Sequence, residues 1–162
     1  MRILFVLPFF LILTCVQAQD RAFSTTLQAG LANPLLDNGI GFHVGVNPTY
    51  ALEPVFSLEG QLSYAYTRVN SSFISGDQGH AHALNALAGG RLYIAPAHSQ
   101  LRPYLSLLLG VYRGQETING VQETATWGLG FSGGAYFQWR RMVAGLSFDT
   151  PQNIILKVGY TQ

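Results

Sequence analysis

Residues 124–139 restrict this chain more than any other stretch. One alternating row there reads Trp127, Leu129, Phe131, Gly133, Ala135, Phe137, Trp139, and the other reads Thr126, Gly128, Gly130, Ser132, Gly134, Tyr136, Gln138. Period two with one apolar and one polar row is the pattern of a strand between two different surroundings. A helix is disfavoured, because Gly128, Gly130, Gly133 and Gly134 would each cost about 1 kcal/mol relative to Ala. The apolar row carries aromatic residues at both ends and small or aliphatic ones between. Ten steps from Trp127 to Phe137 span about 33 Å at ~3.3 Å per residue. Tilted by ~40°, that run rises about 25 Å, the height of an apolar band edged by two aromatic girdles in a bilayer-crossing barrel.

Seven further segments alternate in the same way: 23–31, 40–52, 56–66, 82–94, 102–113, 142–149 and 154–161. Each is bounded by turn residues such as Asn33-Pro34, Glu53-Pro54, Asn119-Gly120 and Pro151, as strand segments are. Pro48 falls inside the second segment and cannot donate to a ladder, so a bulge or local break is expected there. The connections alternate in length. Those at 53–54, 95–101 and 140–141 are short, whereas 68–81 and 114–123 are long, and 32–39 and 150–153 would be outer loops on the same side as the long ones. The expected fold is therefore all-β: an eight-stranded antiparallel up-and-down transmembrane β-barrel with short periplasmic turns and external loops.

Composition agrees with that fold. Charged residues make up 10% of the chain, well under the ~25% of ordinary soluble domains. Residues 1–18 hold Arg2, an apolar run from Ile3 to Leu13 and a small-residue end at Ala18. This is the layout of a secretory signal peptide, too short for a spanning helix. Cleavage after Ala18 would leave a barrel domain over 19–162, without the single cysteine, Cys15. Removing Arg2 leaves eight bases against eight acids. No basic patch calls for nucleic acid.

The direction of the two faces follows from volume. An eight-stranded interior is only just wide enough to be filled by side chains, and the large apolar side chains are too many to fit. They must face lipid, with the Gly, Ser, Thr, Asn and Gln row inside. Glu59, Arg91, Asp149 and Lys157 share that inner row. A salt bridge between Glu59 and Arg91 is expected, with Asp149 and Lys157 diagonal on the last hairpin and able to join one polar, charge-neutral network that fills the lumen.

With these segments in view, the strands LRPYLSLLLGVYRG and WGLGFSGGAYF and the closing ILKVGYTQ resemble the small outer-membrane β-barrel family. These are the OmpA- and OmpX-like "porin family" barrels of Bacteroidetes-type bacteria. The resemblance implies a bacterial outer-membrane location with outer-membrane lipid as the surrounding partner. Such barrels usually end in an aromatic residue read by the assembly machinery. This chain ends in Gln162, with Tyr160 two positions earlier.

Chemistry-bearing residues are sparse. A lipid A deacylase of this fold resembles a His-x-Ser pair with a distant carboxylate, whereas His98 and Ser99 are adjacent and lie in a short turn. His43 stands in the inner row with Glu59 on the next strand, and is read as a buried hydrogen-bonded histidine. His80 and His82 could offer two imidazoles to Zn²⁺ or Cu²⁺ from the end of a long loop, but two ligands do not make a site. No catalysis, cofactor or resident metal is expected. The expected role is a monomeric structural or surface-interaction barrel acting through loops 68–81 and 114–123. The alternatives are a small-solute channel or lipid-modifying enzyme in the same fold, and a secreted soluble β-barrel binding an apolar ligand.

Overall fold

A computed structural model describes residues 23–33, 40–71, 77–96, 98–151 and 153–162. The expected signal segment 1–18 and Cys15 lie outside the described residues. The strands are β1 (Phe23–Asn33), β2 (Gly41–Ala51), β3 (Phe56–Ser71), β4 (Asp77–Tyr93), β5 (Leu101–Ile118), β6 (Val121–Gln122), β7 (Thr126–Trp139), β8 (Met142–Asp149) and β9 (Asn153–Thr161). β6 is a two-residue return strand on the upper end of β5. The other eight pair antiparallel with their sequence neighbours, and β1 pairs with β9 to close the ring. Closure continues past β9, where Gln162 N–H donates to the Thr25 carbonyl at 2.9 Å. The result is a closed eight-stranded up-and-down barrel, the form a sheet in lipid requires.

The faces are the reverse of a water-soluble protein. Leu31, Leu62, Leu107, Leu109, Leu129 and Leu146 stand on the outside, with Leu129 87% exposed. Thr26, Gln28, His43, Asn47, Glu59, Gln61, Arg91, Asp149 and Lys157 are buried within. Rings ring the outside at two levels. Phe42, Tyr64, Tyr66 and Trp127 lie toward the loop end, and Tyr50, Phe137, Trp139 and Tyr160 toward the turn end. This is the lipid-facing band and paired girdles of a transmembrane barrel.

Pro48 introduces no extra residue. β1 pairs Thr25 with Pro48, and on the other side the register runs from Val46↔Leu62 to Thr49↔Glu59 without a slip. Of the expected bulge or local break, the break occurs: the β2–β3 rungs at Asn47 and Pro48 are missing, because proline has no donor, and the strand is not shifted. Gly60 on β3 leaves space for the pyrrolidine ring, since a Cβ there would meet Pro48 Cγ at 3.3 Å.

The loop lengths need a larger correction. β3 and β4 stay paired from Phe56↔Leu92 as far as Ser71↔Asp77, so the span expected as loop 68–81 narrows to a connection at 72–76. The span 114–123 is likewise a hairpin, with β5 reaching Ile118, a turn at Asn119-Gly120 and the return strand β6. Backbone pairing extends both hairpins beyond the lipid, where neither face is apolar and alternation no longer marks a strand. The barrel is therefore lopsided. The 17 residues of β4 and 18 of β5 rise on the order of 45 Å at ~40° tilt, against about 20 Å for the 8 residues of β8.

Candidate functional site

The lumen is built from short cross-strand steps on the inner row. Three tyrosines face one another directly in register: Tyr93↔Tyr104 between β4 and β5, and Tyr104↔Tyr136 between β5 and β7. Their ring centroids are 5.3 and 5.0 Å apart, the second pair stacked at 17°. Gly145 on β8, opposite Tyr136, has no side chain to displace that ring. The Arg91 guanidinium covers Tyr104 at 4.3 Å, and Arg102 covers Tyr93 at 3.8 Å while donating to the Pro54 carbonyl at 3.1 Å. This alternation of cations and rings closes the turn end of the lumen. Sequence reasoning did not single it out. Its signal is registry, which appears only after β4, β5 and β7 are aligned.

Above that floor lies the first ion pair. Arg91 reaches Glu59 through Nη2 at 2.7 Å and Nε at 3.1 Å. The Glu59 carboxylate also accepts from Asn47 Nδ2 and Ser106 Oγ, both at 2.8 Å. Four donors from β2, β4 and β5 thus converge on one acid of β3. Buried charge is tolerable when it is paired and fully hydrogen-bonded in this way.

A second ion pair occupies the opposite wall. Lys157 Nζ lies 2.7 Å from Asp149 Oδ2. The two are diagonal on the β8–β9 hairpin, with Lys157 opposite Gly145 and Asp149 opposite Asn153. The small residues Gly145 and Ser147 leave room for the lysine stem to climb the wall. Ser132 donates to Asp149 Oδ1 at 2.7 Å. Gln61 of β3 spans the lumen, donating to Asp149 at 3.2 Å and accepting from Lys157 at 3.4 Å. Gln61 and Glu59 stand two apart on β3, so that strand contributes to both clusters.

His43 does not engage Glu59. It lies opposite Ala65 on β3, six positions above Glu59, fully buried, and neither ring nitrogen has a hydrogen-bond partner among the described residues. His80 and His82 are on β4 rather than on a loop, and they face outward with Leu84 in the same row. There they join an aromatic cluster: Tyr66 stacks on His80 at 5.8 Å, and the two imidazoles meet edge-on at 5.2 Å. The Tyr64 hydroxyl shares a hydrogen bond with His82 Nδ1. The pair thus belongs to the upper girdle. Among the described residues, no group of three or more His, Cys, Asp or Glu side chains could hold a metal ion. His98 is exposed in the connection between β4 and β5, at the closed end.

The loop end is hollow. A cavity of about 240 Å³ lies inside the tall hairpins, with small residues such as Ala65, Ala83 and Gly114 on its walls and Glu116 and Glu123 at its rim. Pro151, beside the low β8–β9 wall, also borders it. Among the described residues the barrel is thus a cup, filled at the turn end and hollow between the tall hairpins.

No family model matches the chain, and no curated protein sequence matches it. Among solved structures it is similar to Ail, the attachment invasion locus protein of Yersinia pestis. The TM-score is 0.53 at 19% identity, covering 86% of this chain and 96% of Ail. Neisserial surface protein A gives a TM-score of 0.50 at 18% identity with the same coverage of each chain. Both neighbours are small eight-stranded outer-membrane barrels, and the likeness is one of fold.

Proposed function

We propose that this chain is a monomeric outer-membrane barrel of the OmpA- and OmpX-like kind. It sits in lipid through its apolar outer band and meets surface partners through its tall hairpins, with no catalytic step of its own. The observation that carries this reading is the blocked lumen beneath paired strands that rise far above the lipid band. Arg91, Tyr104, Lys157 and Asp149 are each at most 1% exposed, so these side chains are packed into the lumen at mid-height. A solute path would require those ion pairs and rings to separate together. The paired strands of β3, β4 and β5, by contrast, carry the Ser71–Asp77 rung and the Asn119-Gly120 turn away from the membrane. Strand-supported tips present a contact surface with less ordering entropy to lose than free loops.

Two measurements test this. Purified protein in planar bilayers is expected to give no discrete conductance steps, and Tyr104→Ala, which removes the central ring, is expected to introduce them. Wild-type steps of uniform size would favour the channel. Cross-linking on intact cells is expected to capture a surface partner that is lost when both tall hairpins are shortened to two-residue turns just above the lipid band. Undiminished capture by that variant would remove the hairpins from the contact.

A further inference from the structure

The short turn between β7 and β8 consists of Arg140 and Arg141. Two-residue hairpin turns ordinarily use Asn or Gly, because at least one residue must take a positive φ. Here Arg140 does so at 55°, a conformation with no local advantage for a long cationic side chain. Both arginines are exposed. Their guanidinium groups flank the lower girdle. Arg140 lies 5.6 Å from the Trp139 ring, and Arg141 Nη1 donates to the Tyr160 hydroxyl at 3.2 Å. Trp139 and Tyr160 face outward, 54% and 41% exposed, with Met142 between them in register. Two cations thus stand where the apolar band meets water, on aromatic residues of the kind that settle at headgroup level.

The charge of this end supports the same reading. Toward the turn end, Arg102 at the start of β5 and the turn residues Arg140 and Arg141 stand against a single acid among the described connections, Glu53. At the loop end, Arg68 and Arg113 stand against three acids, Asp77, Glu116 and Glu123. The membrane surface next to the turns is therefore the one that a net positive rim would select.

We propose that Arg140 and Arg141, seated on Trp139 and Tyr160, bind the phosphate of an anionic phospholipid in the leaflet at the turn end. The inference rests on the membrane reading above and adds a specific headgroup site to it. Each arginine near an anionic surface contributes about a fivefold preference, so the pair gives roughly 30-fold. The test uses the folded barrel in detergent, offered equal amounts of phosphatidylglycerol and phosphatidylcholine, with bound lipid counted by native mass spectrometry. Wild type is expected to retain phosphatidylglycerol preferentially. Arg140→Gln/Arg141→Gln is expected to lose the preference, and Arg140→Lys/Arg141→Lys to keep part of it. Arg68→Gln/Arg113→Gln, at the other end, is expected to leave it intact. Gel mobility before and after boiling confirms that each variant is folded.

Equal retention of the two lipids by wild type would overturn the proposal, as would an unchanged preference in the Arg140→Gln/Arg141→Gln protein. Complete displacement by millimolar inorganic phosphate would also overturn it, by identifying a free-phosphate site. Flotation with phosphatidylcholine vesicles separates the two readings. A protein that inserts but shows no phosphatidylglycerol preference refutes this site alone, whereas one that stays in the aqueous fraction refutes the membrane reading itself.

Discussion

Replacing Glu59 by alanine isolates what holds the lumen together. The substitution removes the acceptor of four hydrogen bonds: two from Arg91 and one each from Asn47 and Ser106. It leaves the guanidinium, 1% exposed, with no counter-charge. Stranding a buried ion in this way costs about 3–5 kcal/mol, and the orphaned Asn47 and Ser106 donors place the value in the upper half of that range. Arg91→Met leaves the carboxylate two neutral donors and forfeits the stacking on Tyr104, for about 2–3 kcal/mol. The double substitution removes both charges and should cost about 3 kcal/mol, mainly as a cavity and lost stacking. The sum of the singles therefore exceeds the double by a coupling of about 4 kcal/mol. Urea unfolding in phosphatidylcholine vesicles, followed by the fluorescence of Trp127 and Trp139, measures all four corners of the cycle. A coupling under about 1 kcal/mol, with Glu59→Ala near wild-type stability, would refute the claim that the pair acts as a unit shielded from water.

Other parts of the wall can be tested in the same assay. Leu107→Arg places a charge on the lipid-facing row and is expected to cost about 2–4 kcal/mol, whereas a soluble barrel would tolerate or welcome it at a residue that is 58% exposed. At Gly89 an added Cβ would overlap the Leu107 carbonyl oxygen of the adjacent strand. Gly89→Ala is therefore expected to destabilise by about 1–3 kcal/mol, and an unchanged urea midpoint would show that β4 and β5 are not so closely spaced there. Trp127 and Trp139 mark opposite girdles, so lipids brominated near the headgroup should quench both more strongly than lipids brominated near the chain ends. Stronger quenching by the deep label would misplace the girdles.

Much of the architecture was legible because alternation is a local property that lipid enforces across the whole wall. Thr126 to Trp139 shows it most clearly, and the inward placement of Glu59, Arg91, Asp149 and Lys157 follows from counting positions along each segment. The pattern fails where the two faces meet the same medium. β3 beyond Thr67, β4 before His82 and β5 beyond Arg113 pass out of the apolar band, polar residues occupy both rows, and strand reads as loop. His80 and His82 were displaced onto a loop for that reason, although their spacing of two places them in the outer row with Leu84. At Pro48 the local break is legible from the missing donor, whereas the retained register depends on Gly60 of the neighbouring strand, which leaves space for the ring.

Alone, the sequence determined that this chain forms eight strands with an apolar outside and a polar inside, because side-chain period and interior volume admit no other arrangement of these residues. Which inner residues meet was decided by tertiary structure, since contact across a barrel depends on stagger between strands distant in the chain. That stagger brings Gln61 to the Asp149–Lys157 pair and aligns Tyr93, Tyr104 and Tyr136 into a floor. It leaves His43 without a hydrogen-bond partner among the described residues. The barrel's filled end and its hollow one follow from those contacts.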